Sequence, residues 1–595
     1  MGTGGFGPLS LLVGDIRLHW SAMGLFRKKP LNSGSASEGE IHGGDALGKH
    51  LTVRDLTFFG IAAIIGAGSF SSMGQACFSG GPGVVLLFLM CGVACGFTAL
   101  CYAEFAARVP ASGSAYTYAY VSFGEVFAWI IGWALLMEYS IGNIYVAFSW
   151  SGYFTNLLDG IGLHLPEWLT TNYRHASAAS NDALIKLFNA YAPNAGLEAK
   201  AALNAAQASE GYRAWATAPM LGNLRIIFDL PAVTINVLIT WLVYTGVKET
   251  RNASNIMVMV KLAIILLVVI VGAFYVDITN WVPFLPNGFG GVMAGVSAVF
   301  FAYIGFDAVS TLAEDSKDPQ RDLPRGMIWS LLICTVVYIV LALVLTGMVD
   351  WSQLGVSDPL AEVFALRGVK WMLFIVSIAA VVAMTSVMLV FQMGQPRIWM
   401  SMSRDGLLPK RFASIHPKYK TPGFSTIVTG LVVGIPIFFT DENFILDFTS
   451  IGTLFAFVLV CGGVLVLPKR GRTKGRFHLP HVNSRFAAPA IFLGVVALLL
   501  FSVPGYFTGL LDLSSEHAAQ NIPQLIFWPL AIALAIIAHL KNWSLIPLLG
   551  LVSCCYLLTG MAVSNWLWFA VWLVIGLACY FAYGYRHSKL APKPH

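Results

Sequence analysis

Stretches of about 20 apolar residues recur along this chain from residue 53 to residue 583, each long enough to cross the hydrocarbon core of a bilayer as a helix. Nothing else in the sequence constrains the fold as tightly. The 595 residues are 57% hydrophobic and 11% charged, where a soluble chain carries about 25% charged residues. In lipid every backbone donor and acceptor must be satisfied within the chain, so the expected fold class is an all-α polytopic membrane protein. The net charge of +6 is accounted for by basic loops on one side of the membrane and calls for no nucleic acid. The nine cysteines all fall in hydrophobic segments, with no histidine nearby. They read as small buried hydrophobes, not as metal ligands or disulfides. No cofactor is expected. No signal peptide with a cleavage site precedes the first charged stretch.

Residues 1–50 are Gly/Ser-rich with a basic cluster at Arg27, Lys28 and Lys29, and read as a disordered cytoplasmic tail with an interfacial piece around 11–26. About fourteen segments then fit, with twelve as the alternative. Their approximate bounds are 53–79, 83–108, 124–155, 226–245, 255–276, 291–313, 326–349, 371–403, 424–440, 445–467, 487–508, 523–540, 543–561 and 564–584. A loop of small and aromatic residues, 111–118, precedes the third segment, and a long insertion at 156–225, helical over 195–208, follows it. The stretch 397–420 holds Arg397, Arg404, Lys410, Arg411, Lys418 and Lys420, and 469–485 is equally basic, whereas 440–444 and 509–522 hold no Lys or Arg. Basic loops stay in the cytoplasm, which places both termini there and the protein in a cell membrane, plasma or bacterial inner. The domains expected are the tail, a core over 51–470 with 156–225 as an extracellular insertion, and further helices with a short tail over 471–595.

The first segment contains a fault. Its centre, Gly66-Ala67-Gly68-Ser69, is poor helix: two glycines cost about 2 kcal/mol of helix propensity relative to alanine, and the serines that follow bond locally. A helix broken there exposes N–H groups at the start of its second half and C=O groups at the end of its first. Together these suit the carboxylate and ammonium of an amino acid. The competing reading is a small-residue packing face. The sixth segment has a matching fault, with Ile304-Gly305 standing where Ile65-Gly66 stands in the first. The first segment opens one set of five and the sixth opens the next. Five is odd, so the second set enters the membrane upside down. That is the inverted repeat of secondary transporters, whose broken helices meet at the midplane.

Ile65-Gly66-Ala67-Gly68-Ser69-Phe70 is similar to the G-A-G-I-F signature of the amino acid–polyamine–organocation superfamily. Its cationic amino acid transporter branch is resembled by Tyr102-Ala103-Glu104 through Arg108-Val109-Pro110 and by Ser112-Gly113-Ser114-Ala115-Tyr116-Thr117-Tyr118. The same branch is resembled by Phe300-Phe301-Ala302-Tyr303-Ile304-Gly305-Phe306-Asp307, by Asp318-Pro319-Gln320-Arg321, and by Gly394-Gln395-Pro396-Arg397 with Arg404-Asp405-Gly406. These matches span about 50–470. They imply a five-plus-five inverted-repeat transporter core with helices 1 and 6 broken. Ser69 departs from the family's isoleucine, which implies a smaller and more polar wall. Pro396 is expected to kink the eighth segment.

The substrate-binding candidates are Ala63, Ile64, Ile65, Gly66, Ala67, Gly68 and Ser69 of the first break, and Phe301, Ala302, Tyr303, Ile304, Gly305 and Phe306 of the second. The amide groups of Gly66, Ala67, Gly68 and Ser69 would meet a carboxylate, and the carbonyls around both breaks an ammonium. Three coupling candidates join them. Lys261 is a lysine within a span, functional by default unless it snorkels to the interface. The resemblance implies that its ammonium stands where sodium-coupled relatives bind an ion, bonds the opened carbonyls of the first segment, and exchanges a proton. Glu138 is either a proton carrier or a structural acceptor. Asp307 balances Lys261, lines the route, or caps the resumed helix. Glu104 and Arg108 read as a structural i,i+4 pair.

The function implied is secondary-active transport of L-amino acids, by proton symport or exchange, without sodium and with the bilayer as the protein's surroundings. A transport-dead sensor and a polyamine or other organocation transporter are the alternatives. An enzyme is not expected: no H-E-x-x-H is present, and of twelve histidines only His539 falls at a segment's edge. No filter motif marks a channel.

Overall fold

The computed structural model describes residues 26–30, 50–66, 68–191, 197–222, 224–356, 358–440, 442–468, 476–502, 505–512, 518–561 and 563–591. Most of the expected tail, including the interfacial piece before Phe26, lies outside these, as does Ala67.

Each of the expected membrane segments is occupied by helix. They are α1 (Val53–Ile64), α2 (Met73–Gly80), α3 (Val84–Arg108), α4 (Ala115–Ser122), α5 (Glu125–Gly160), α6 (Leu230–Thr245), α7 (Val247–Ala273) and α8 (Val296–Tyr303). There follow α9 (Pro319–Met348), α10 (Lys370–Arg404), α11 (Gly423–Ile437), α12 (Glu442–Val466), α13 (Ser484–Ser502), α14 (Ala518–Lys541), α15 (Leu545–Leu558) and α16 (Val563–Cys579). Among the described residues, eight helices are long and apolar enough to cross a bilayer unaided, and four shorter apolar ones join them.

Local chemistry sets several boundaries. Thr52 opens α1 with a reciprocal cap, its hydroxyl accepting from Asp55 N–H while the Asp55 carboxylate accepts from Thr52 N–H. Pro319 and Pro359 sit in first turns, where a missing N–H costs nothing. The stretch read as a loop before the third segment is in part a helix: α4 is buried at all eight positions, so it shows no polar face for a periodicity to reveal. Helix α10 continues through Pro396, running from Lys370 to Arg404. In the insertion, helix covers Leu197–Ala208, and two further helices, Tyr173–Ala190 and Glu210–Thr217, pack with it.

The core is centred on α5, which lies along α10 and α12, while α9 packs on α1 and α3. Of the most apolar window of α5, 83% is buried, against 11% for α13. Helix α13 and its hairpin partner α14 are therefore peripheral and reach the bundle chiefly through α15. All nine cysteines are free; seven are buried, Cys555 is half-buried and Cys579 exposed.

Candidate functional site

The two faults in the sequence are two faults in the structure, and they have the same form. Helix α1 ends at Ile64. Ile65 is extended (φ −82°, ψ 103°), Gly66 bends, and the chain resumes as a π-helical turn at Gly68–Ser72 that leads into α2. Helix α8 ends at Tyr303. Ile304 is extended (φ −60°, ψ 138°), Gly305 takes φ +118°, and a 3₁₀ helix, Phe306–Asp315, follows. That φ lies in the left-handed region, where a glycine is needed. The breaks pack on each other: a Cβ added to Gly305 would lie 2.6 Å from Ala63 Cβ, and one added to Gly68 would lie 2.5 Å from Ala302 Cα.

Lys261 comes to the first break from α7. Its side chain is buried, and Nζ donates to Ala62 O (3.1 Å), Ile65 O (2.6 Å) and Ser386 Oγ (2.9 Å). All three ammonium donors are thus used, two of them on carbonyls that the end of α1 leaves open. Asp307 does not balance this charge; its Oδ2 accepts from Tyr139 Oη at 3.2 Å. Glu138 is buried one residue before Tyr139 on α5. The candidates therefore divide into a cationic group at the first break and an acidic pair beside the second.

Several atoms offered by the broken helices already have protein partners. The N–H groups of Ser69 and Phe70 both turn back to Gly66 O (3.0 and 3.1 Å), as does Ser69 Oγ (2.9 Å). Phe301 O accepts from Ile304 N–H (3.2 Å), and Gly305 O from Ala308 N–H (3.1 Å). Tyr338 Oη, from α9, lies 2.7 Å from Ile64 O and 2.9 Å from Ala302 O, so one buried hydroxyl joins the two breaks. Phe301 meets the ring of Tyr145 edge-on at 4.8 Å, Tyr303 Oη donates to Phe88 O (2.8 Å), and Phe306 packs against Phe457 and Tyr102.

Sequence reasoning missed Tyr338, Ser386 and Tyr139. A signal was available for each. Thr385-Ser386 interrupts a long apolar run, and a tyrosine in mid-span must find a partner for its hydroxyl.

At the end of the bundle where α3 and α10 finish, Glu104 Oε1 takes Arg108 Nε and Nη2, each at 2.6 Å. Arg397 bonds Asp315, and Arg404 bonds Glu314. Backbone N–H groups of His50 and Leu51 reach Asp315 O at 2.9 Å, tying the entry of α1 to the end of the second broken segment.

Comparison with known proteins decides the family. The sequence model described as amino acid permease matches residues 51–532, and that for the permease C-terminus matches residues 545–588. The chain belongs to the amino acid permease family. The family likeness thus extends past the 50–470 region that the motifs had marked, through nearly all of the C-terminal helices. Similar curated proteins include the branched-chain amino acid permease BcaP of Bacillus subtilis, 35% identical over 95% of this chain and 99% of that protein. The methylthioribose transporter of the same organism is 39% identical over 81% of this chain and 93% of its own length. The chloroplastic cationic amino acid transporter 9 of Arabidopsis thaliana is 32% identical over 92% and 89%. This amino acid permease is a multi-pass membrane transporter, not an enzyme.

Proposed function

We propose that this permease moves L-amino acids by secondary-active transport, driven by protons or by exchange and independent of sodium. Alternating access would take place around the two breaks of a five-plus-five inverted repeat. The observation that carries the reading is Lys261, whose ammonium lies on Ala62 O, Ile65 O and Ser386 Oγ. A cation supplied by the protein occupies the acceptors that a bound metal ion would otherwise need, so no sodium is called for. The repeat is supported by the two Ile-Gly breaks. In this reading the substrate carboxylate meets the amides of Gly66, Ala67, Gly68 and Ser69, and its ammonium the carbonyl side of both breaks, with substrate displacing internal partners such as the Ser69 N–H bond to Gly66 O. Glu138 and Asp307 are proton-handling groups beside the route. The basic ends of α3 and α10 share a face with both chain tails, which supports a cytoplasmic position for that face.

A second substrate class comes from the methylthioribose transporter, which shares 39% identity with this chain. A competition panel in counterflow separates the two, with branched-chain, cationic and other amino acids set beside methylthioribose. The coupling test is uptake into proteoliposomes under imposed pH or sodium gradients, wild type beside Lys261→Met. We expect wild-type accumulation with a pH gradient and no sodium. In Lys261→Met, proton-driven accumulation fails while some exchange survives. A strict sodium requirement, or full proton-driven uptake by the variant, would make Lys261 a structural cation. Absence of any counterflow would leave a sensor.

A further inference from the structure

The turn Ser112-Gly113-Ser114, between α3 and α4, has no part in the site described above, yet it is built in an unusual way. Ser114 has φ 51° and ψ −140°. That is the mirror image of extended backbone, open to glycine and strained for any other residue. Ser114 also stands at the N-cap of α4, where a serine hydroxyl ordinarily accepts from the second or third N–H of the helix. It makes no such bond. Its Oγ lies instead 2.7 Å from Ser310 Oγ, on the 3₁₀ helix Phe306–Asp315 that follows the second break. Ser310 Oγ in turn lies 2.6 Å from Asp307 O. Two residues before Ser114, Ser112 Oγ accepts from Glu314 N–H at 3.2 Å. Ser112, Ser114 and Ser310 are all fully buried.

The two sides of this contact belong to different parts of the bundle. Helix α4 packs on α5 and α12, whereas Phe306–Asp315 packs most on α9 and α1. The turn itself is wedged in place. A Cβ added to Gly113 would run into Thr117 Oγ1 of α4 and lie 3.2 Å from Ser401 Cβ of α10.

The strain therefore belongs to one state of Ser114. While its hydroxyl is on Ser310, its backbone is strained and the first turn of α4 goes without a side-chain cap. Once Ser310 leaves, Ser114 is free to return to extended backbone, and its hydroxyl to turn to the N–H of Tyr116 or Thr117. We propose that Ser114 is a positioning residue for transport, a sprung catch that holds the second broken segment through Ser310 and releases it at low cost. Ser112 adds a second contact to the same catch. Release is nearly balanced because the freed serine relaxes and gains a cap, which suits a segment that has to move in every turnover.

The part this catch plays in transport rests on the alternating-access reading, while the catch itself is measured without substrate. The full-length protein is reconstituted as wild type, Ser114→Ala, Ser114→Gly and Ser310→Ala. Hydrogen exchange is followed by mass spectrometry at residues 306–317 and 115–118, with counterflow of L-leucine and L-arginine in parallel. Loss of one neutral hydrogen bond should raise exchange at 306–317 about two- to tenfold in Ser114→Ala and Ser310→Ala. Ser114→Gly loses the bond but also the strain, so its rise should be smaller than that of Ser114→Ala. Exchange at 115–118 should fall in Ser310→Ala alone, since only there is a serine hydroxyl freed to cap α4. A bond that is merely structural would loosen both segments together. The maximal counterflow rate should shift in the variants whose exchange at 306–317 rises. Unchanged exchange at 306–317 in both alanine variants overturns the catch, and so does a counterflow rate that ignores a raised exchange. Exchange at 115–118 that does not fall in Ser310→Ala overturns the sprung state. Absence of counterflow in the wild type overturns the transport reading instead, and exchange still decides the catch.

Discussion

Gly68 sets how closely the two broken segments approach. A Cβ there would meet Ala302 Cα at 2.5 Å and Ala302 Cβ at 2.9 Å, and backbone cannot yield as a flexible side chain can. Gly68→Val should therefore abolish uptake while expression and monodispersity in detergent stay normal; wild-type uptake would reduce the stretch to a packing face. The hydroxyl of Ser69, where the family's isoleucine implies a larger and less polar wall, donates to Gly66 O and closes the resumed turn. Identity predicted that the position is polar, but the hydrogen bond it makes depends on where the helix restarts. Lys261 contrasts with it. For it the family resemblance had implied a meeting with the opened carbonyls of the first segment, and Nζ lies on Ala62 O and Ile65 O.

Among the elements, α10 carries the most varied duties. One face gives Ser386 to Lys261, and its end gives Arg397 and Arg404 to the second broken segment. These two arginines should differ sharply when removed. Arg397 and Asp315 are both buried, so Arg397→Ala strands a carboxylate without its cation and should cost about 3–5 kcal/mol. The Arg404 and Glu314 side chains are 31% and 27% exposed, and Arg404→Ala should cost about 0.2–1 kcal/mol. Chemical denaturation in detergent, followed by tryptophan fluorescence, reads the difference; equal losses would show that burial is not what separates the pairs. Pro396 removes one ladder bond from the same helix, which still continues to Arg404.

For the molecule as a whole, the last four helices divide in two. Helix α16 is fastened to α5 by reciprocal bonds: Trp133 Nε1 donates to Trp572 O at 2.9 Å, and Trp572 Nε1 to Trp133 O at 3.0 Å. The two rings stack at 4.8 Å, and Trp129 Nε1 adds a bond to Gly576 O. Trp572→Leu should lower stability by about 1–3 kcal/mol through lost packing and the loss of its indole hydrogen bond. Because Trp572 makes its hydrogen bonds with Trp133 and not with residues of either break, KM should not change. A shift in substrate preference with unaltered melting would instead tie α16 to the site. Helices α13 and α14 contribute little to this core, which agrees with their small buried share.

The sequence by itself determined the membrane class, the run of helices, both breaks and the family, because each rests on properties local to the chain. Apolar length, glycine placement and motif spacing can all be read along one dimension. The helical nature of α4 escaped because a helix buried on every side has no periodic polar face. Only the tertiary structure decided that Tyr338 bridges the breaks, that Asp307 pairs with Tyr139 and not with Lys261, and that Lys29 sits on Asp405. In each case the partners are far apart in the chain, and the choice among several acceptors was made by how the helices pack.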